Sequence, residues 1–430
     1  MSTSSLSSAP AGRYVANGLI ACHACDGLHR IAPVPEGGKA LCTRCGALLY
    51  RNVPHSLDRS AALYLSAFGL FVLANLFPFI GLKVGDRVEQ TLIVSGAVAL
   101  YRQGMGDLGL LILLTSVVIP LLMIAGMLYL LLPLRFGRRP AGMARVWRAL
   151  RALSPWSLVG VFMLGTLVAV VKLQDLATVV PGIGLYAFVG LLVVSAAAAA
   201  SFEPTVLWPR VGPPAEGSAA GGGSAAAQGY AQCHTCDVVV ALPRGASGFA
   251  DTDCPRCGST VHAGRIHDSI ARTWALVLSA TLLLVPANLY PVMTVIRYGQ
   301  GEPSTILGGV VHLIEGGAWG LALLVFFASF VVPISKIAVL VLLLVTVQKG
   351  SAWRKRDRSL LYRVVEVVGA WSMVDIFLVG ILVALVQLDA LARILPGIGA
   401  SFFGASVVLT MIAAHNFDPR LVWDRPGQAA

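Results

Sequence analysis

Charge is scarce in this sequence. Of 430 residues only 12% are Asp, Glu, Lys or Arg, while 57% are hydrophobic. A soluble domain carries about 25% charged residues, so an ordinary soluble protein is excluded and a polytopic membrane protein with small polar domains is implied. Cysteine is missing outside two short stretches that hold all eight, which leaves none for any other purpose. G-x-x-x-x-G-K-[ST] is absent: "PEGGKA" (35–40) is too short to cradle a phosphate, and no His-Glu-x-x-His stretch occurs. The chain therefore does not read as an ATPase, a zinc protease or any other enzyme. The first residues lack the apolar core of a cleavable signal peptide, so the N-terminus is expected in the cytoplasm. Acidic residues are the scarcer sign, 21 against 32 Lys and Arg, for a net charge of +11. In a membrane protein such an excess gathers in cytoplasmic loops, and no nucleic-acid partner is expected.

What is present is a duplicated plan. Cys22, Cys25, Cys42 and Cys45 form two Cys-x-x-Cys pairs, and Cys233, Cys236, Cys254 and Cys257 form two more. The spacers between pairs are sixteen and seventeen residues, a spacing that fits a tetrahedral zinc site of four thiolates. With no open position, each site reads as structural. "RCG" (44–46 and 256–258) supplies the glycine a metal-binding turn favours. An iron site shares the spacing, and a redox Cys-x-x-Cys is a further alternative. His23 and His234, between paired cysteines, read as surface residues. The repeat continues beyond the cysteines: "ANLFP" (74–78) matches "ANLYP" (287–291), "PWSLVGVF" (155–162) matches "AWSMVDIF" (370–377), "VVPGIG" (179–184) matches "ILPGIG" (394–399), and "FEPTVLW" (202–208) matches "FDPRLVW" (417–423).

The expected fold is an all-α polytopic membrane protein. It comprises two tandem four-helix transmembrane modules, eight spans in total, each preceded by a small cytoplasmic four-cysteine zinc ribbon. Spans need roughly 20 apolar residues and fall near 60–80, 106–133, 155–173 and 184–201, then 271–292, 318–346, 365–387 and 397–415. The domains read as a disordered tail 1–18, ribbon 19–56, module 57–205, flexible linker 206–229, ribbon 230–266, module 267–418 and C-terminal tail 419–430. Basic loops 134–154 and 348–363 place the ribbons and both termini in the cytoplasm by the positive-inside rule.

Ionisable residues inside spans are costly and default to function. Asp375 lies near the middle of the seventh span, where the first half has Gly160. Lys336 follows Pro333 in the sixth, where the first half has Met123. Lys172 and Asp175 share one face at the outer end of the third, and Ser329, Ser372 and Thr410 lie at interior depth. Against this stand snorkelling of the lysines and hydroxyls bonded to their own helix.

This combination of "CHAC…CTRC", "CHTC…CPRC", "ANLFP"/"ANLYP", "WSMVDIF" and "LPGIG" resembles the paraquat-inducible protein A family over almost the whole chain. The resemblance implies a bacterial inner-membrane protein in lipid traffic between membranes, with a periplasmic MCE-domain tunnel protein and membrane lipids as partners. It also implies that Asp375, Lys172, Asp175, Ser329, Ser372, Thr410 and Lys336 form a transport network. A non-transporting anchor for that partner and a membrane redox protein are the competing readings.

Overall fold

The computed structural model describes residues 18–84, 87–174, 178–208, 223–242, 251–262, 265, 268–297, 300–315, 317, 319–385 and 392–424. Among them, seven helical stretches are long and apolar enough to cross a membrane by length and composition: Ser56–Leu76, Gly106–Arg135, Met143–Val170, Ile183–Ser201, Ser269–Leu289, Ala322–Gln348 and Ile398–Asn416. The seventh expected position, near 365–387, carries the helix Val374–Leu385, entered through a 3-10 turn at Gly369–Met373. The disordered tail expected over 1–18 falls almost wholly outside the described residues.

Each module pairs its first and last long helices. Ser56–Leu76 lies along Ile183–Ser201, and Ser269–Leu289 along Ile398–Asn416. The repeated motifs lock these pairs at one end. Gly184 N donates to Pro78 O at 2.9 Å and Gly182 N to Phe79 O at 3.1 Å, while Gly399 N donates to Pro291 O at 3.1 Å and Gly397 N to Val292 O at 2.8 Å. A Cβ at Gly182 or Gly397 would stand 2.1 Å from a proline carbonyl. Only glycine permits that approach, so "ANLFP" and "PGIG" are two sides of one contact.

The membrane modules are not purely helical, which corrects the all-α expectation. After the first helix of each half the chain forms a hairpin, Ile80–Val84 with Arg87–Thr91 and Met293–Arg297 with Gln300–Ser304. A third strand, Thr178–Pro181 or Ala392–Pro396, pairs antiparallel on the other side of the inner strand. Short helices Ile93–Arg102 and Ile306–Glu315 follow. These segments are too short and too mixed in polarity to stand out by hydropathy.

In both halves the second long helix contains one π turn, Leu114–Val118 and Phe327–Val331, just before Pro120 and Pro333. Proline lacks the N–H that would bond the carbonyl four residues back, and one wide turn is the usual local adjustment.

The halves meet through their third helices. Val374–Leu385 packs against Val159–Gln174 and against Ile93–Arg102. Phe162 and Phe377 touch edge to face at 5.3 Å between ring centroids. Gly165 and Gly380 hold the same place in the repeat. A Cβ on Gly165 would meet Phe377 Cβ at 3.0 Å, and one on Gly96 would meet Gly380 O at 3.0 Å. Lipid tails are as apolar as side chains, so this contact is held by close packing of small residues. Two further expectations are corrected. The stretch 206–229, read as a flexible linker, is ordered at 223–229, where Ala225 is fully buried against the first ribbon. The supposed tail from 419 forms a packed 3-10 turn, Pro419–Trp423, capped by Asp418.

Replacing Gly96 or Gly165 with Leu should cost ~1–3 kcal/mol by overpacking, read as earlier thermal unfolding in detergent. Gly69→Leu, where nothing lies within 4 Å of the added Cβ, should stay within about 0.5 kcal/mol of the parent.

Candidate metal centres and intramembrane polar site

Each cysteine unit is two short antiparallel hairpins. The first pairs Leu19–Ala21 with Leu28–Arg30 and Lys39–Leu41 with Leu48–Arg51. The second pairs Tyr230–Gln232 with Val239–Ala241 and Asp251–Asp253 with Thr260–His262. Every hairpin tip is a Cys-x-x-Cys turn closed by two backbone bonds. In the first turn, Asp26 N donates to Cys22 O at 2.8 Å and Cys22 N to Gly27 O at 2.9 Å. The residue after the second cysteine takes a left-handed conformation each time: Asp26 (φ 59°), Gly46 (φ 71°), Asp237 (φ 60°) and Gly258 (φ 67°). Glycine does this freely, and aspartate is among the few other residues that tolerate it. The glycines were legible in the sequence, whereas the equivalent role of Asp26 and Asp237 was not.

These turns bring all four sulfurs of each unit within 4.8 Å of one another. Cys22 and Cys45 Sγ lie 3.4 Å apart and Cys25 and Cys42 3.5 Å, and in the second unit Cys233–Cys257 and Cys236–Cys254 are each 3.5 Å. A tetrahedron of thiolates at about 2.3 Å from an ion has edges of about 3.8 Å. The donor set therefore fits a four-coordinate metal ion. All eight cysteines are buried and free. The thiols share protons unevenly: a hydrogen bond with Cys22 pushes Cys25 up and pulls Cys45 down. Cys236 goes up and Cys233 down by their mutual bond. A bound cation would displace such protons.

Polar groups around the sulfurs differ between the units. His29 Nε2 lies 3.3 Å from Cys42 Sγ, and Ser259 Oγ lies 3.1 and 3.0 Å from Cys233 and Cys257 Sγ. Such outer contacts orient ligands and tune a metal, and no spacing signal in the sequence marks them. His23 and His234 are exposed, as expected, yet they have a place. Their rings lie 5.4 Å apart, and His23 Nε2 is 2.7 Å from Asp237 Oδ1, so they line the contact between ribbons. Burial would raise the Asp237 carboxyl, but the bond and charge of His23, with Arg151 nearby, hold it below the ordinary range.

Of the polar residues expected inside the membrane, the structure gathers four segments. The turn Gly369–Met373, carrying Ser372, touches the helix Val332–Gln348 with Lys336, the π turn with Ser329, and the helix Ile398–Asn416 with Thr410. Lys336 is buried, and its Nζ donates to Gly369 O at 3.3 Å. A Cβ at residue 369 would crowd that Nζ at 3.0 Å. The first half has Ser154 there and Met123 opposite, so the lysine and the glycine that makes room for it differ together from the first copy. Ser329 and Ser372 are buried, and their hydroxyls have no hydrogen-bond partner among the described residues. Thr410 bonds its own helix at Val407 O, 2.8 Å. In the first half, Ser116 at the place of Ser329 gives its hydroxyl to Ile112 O at 2.6 Å. Asp175 and the side chains of Lys172 and Asp375 lie outside the described residues.

A further feature of this half is an apolar cavity of about 50 Å³, open at its mouth and lined by Val292, Ile306, Val325, Ile376, Val379 and Phe403. The same place in the first half holds only about 10 Å³. There Phe79 fills the space where the second half has Val292, in edge contact with Phe188 at 5.6 Å and within 5.9 Å of Phe162.

The model of the paraquat-inducible protein A family matches the chain twice, over residues 57–212 and 270–426. The chain belongs to this family. Among curated relatives, intermembrane transport protein PqiA of Escherichia coli K12 is 32% identical over 94% of this chain and 95% of its own length. Lipophilic envelope-spanning tunnel protein A of the same strain is 29% identical over 94% and 90%. A probable intermembrane transport protein of Haemophilus influenzae is 26% identical over 94% and 95%. No solved structure matches the chain. Both family matches begin after the cysteine units and cover the membrane part of each half.

Wild-type protein should carry two metal ions per chain. Cys42→Ser should leave one, measured by elemental analysis of purified protein. Because each ligand must lose its proton to bind, affinity at the remaining site should fall as pH is lowered.

Proposed function

We propose that this chain is the inner-membrane subunit of a lipid transport system, moving phospholipid between that membrane and a periplasmic MCE-domain partner. In this reading there are eight spans, the helix Val374–Leu385 belonging to the seventh. Both ribbons hold zinc in the cytoplasm, and the hairpin ends face the periplasm. The names of its relatives, which speak of intermembrane transport and an envelope-spanning tunnel, support it. One observation carries it: the second half keeps an apolar cavity open where the first half is plugged by an aromatic residue. The cavity, open at its mouth, receives part of an acyl chain. Lys336, Ser329 and Ser372, with Asp375, Lys172 and Asp175, supply the polar path for the headgroup or for protons that accompany it. Hydroxyls left unspent at membrane depth are expensive unless they serve such a path. Four-cysteine closure makes the metal sites structural.

Transfer of labelled phospholipid from proteoliposomes to an acceptor, with the partner present, tests this. Val292→Phe should fill the cavity and lower the transfer rate roughly ten- to hundredfold, with metal content and thermal stability intact. Asp375→Asn and Lys336→Met should also lower it. Wild-type rates from all three variants would favour the anchor reading.

A further inference from the structure

The tryptophan that closes each half lies under the ribbon of the other half. Trp423 packs on the cysteine cluster of the first ribbon, and the Arg44 guanidinium stands over its ring at 4.5 Å. Trp208 joins the cluster containing the second ribbon's cysteines, with the Arg256 guanidinium 6.0 Å from its ring. Arg44 and Arg256 occupy the same place, inside the second Cys-x-Arg-Cys turn of each ribbon. The basic helices cross in the same sense. Arg363, on Lys355–Val368 of the second half, donates to Cys45 O at 3.1 Å in the first ribbon. Arg148, on Met143–Leu153 of the first half, donates to Gly258 O at 3.0 Å in the second ribbon. Trp147 Nε1 adds a bond to Thr235 O at 2.6 Å. Between the ribbons run the His23–Asp237 pair and a Gln232–His23 contact at 3.1 Å.

We propose that the two ribbons form a crossed, metal-dependent clamp, in which the metal held by each ribbon fixes the basic helix and terminal tryptophan of the opposite half. The acceptor carbonyls of Cys45 and Gly258 belong to the metal-binding turns themselves. They face the arginines only while the turn is closed, and a unit this small lacks the core to stay closed without its ion. Four thiolates around a divalent ion also carry a net negative charge, which suits the guanidinium groups set against it. Ribbon occupancy is thus read on the far half of the molecule. The near half is tied separately: Arg51 of the first ribbon donates to Ala199 O and Phe202 O at 3.0 and 2.7 Å.

Hydrogen exchange on the full-length protein tests the crossing. In the Cys42→Ser, Cys45→Ser double variant, metal content should drop from two ions to one. Exchange over 355–368 and around Trp423 should then rise about tenfold or more, while 143–153 stays near its wild-type rate. Cys254→Ser with Cys257→Ser should give the converse, with Ser56–Leu76 and Ile183–Ser201 still protected in both. Arg44→Ala and Arg256→Ala, which keep both ions, should show the same crossed pattern more weakly, and they decide the matter if the cysteine variants do not fold. Loosening of the same half's helix, equal loosening of both helices, or no change in either would overturn the clamp.

Discussion

An unpaired backbone group at membrane depth costs several kcal/mol, and the membrane part of this chain is organised around meeting that demand wherever the helix is interrupted. Two kinds of interruption come in matched pairs, whereas Pro286 sits inside its helix with Leu73 at the matching place. Proline removes an N–H at residues 120 and 333, and a π turn absorbs the mismatch in each case. The chain leaves the helix at Pro78 and Pro291, and there the glycines of "PGIG" arrive to donate to the freed carbonyls. The sheets serve the same demand for their inner strands, each of which is paired on both sides.

With the backbone satisfied identically in both copies, the side chains were free to diverge, and they did so in a consistent direction. The first half is filled in: Phe79 narrows the cavity, Met123 stands at the place of Lys336, Gly160 at the place of Asp375, and Ser116 spends its hydroxyl on its own helix. The second half carries Val292, Lys336, Asp375 and Ser329 at those places. Gly369 shows that the changes are coupled, because Ser154's side chain at that position would crowd the lysine's ammonium. One copy is packed and apolar at these places, while the other keeps space and polarity together.

How much of this could be read in advance depends on the range of the interactions. The four-cysteine clusters were legible because Cys-x-x-Cys spacing is a local geometry, and two such turns joined by sixteen or seventeen residues can bring their sulfurs together. The long helices were legible because hydropathy integrates over many residues. The hairpins at 80–91 and 293–304 were missed because five-residue strands in mixed sequence give no periodic signal that rises above loop. The left-handed aspartates were missed because aspartate is tolerated there rather than required. "ANLFP" and "PGIG" were visible as repeats, but nothing local says that they touch. The crossing of ribbons was invisible for the same reason, since each ribbon's sequence neighbour is the module it does not clamp.

The basic loops carry more than the topology expectation drawn from their charge. Lys and Arg serve the positive-inside rule equally well, so charge counting has no preference between them. Yet loop 134–154 contains six arginines and no lysine, and the geometry explains why. Arg148 and Arg363 reach backbone carbonyls of the opposite ribbon, Arg151 lies 3.8 Å from Asp237, and Arg44 stacks on an indole. A planar guanidinium with five donors can lie flat on a ring and still bond at its edge, whereas an ammonium is a compact, strongly hydrated point charge. Lysine at these positions would preserve the topology signal and lose the contacts. Residues expected to orient the chain in a membrane are therefore also ones that reach from one half to the other, and the choice of arginine is where the second role is written.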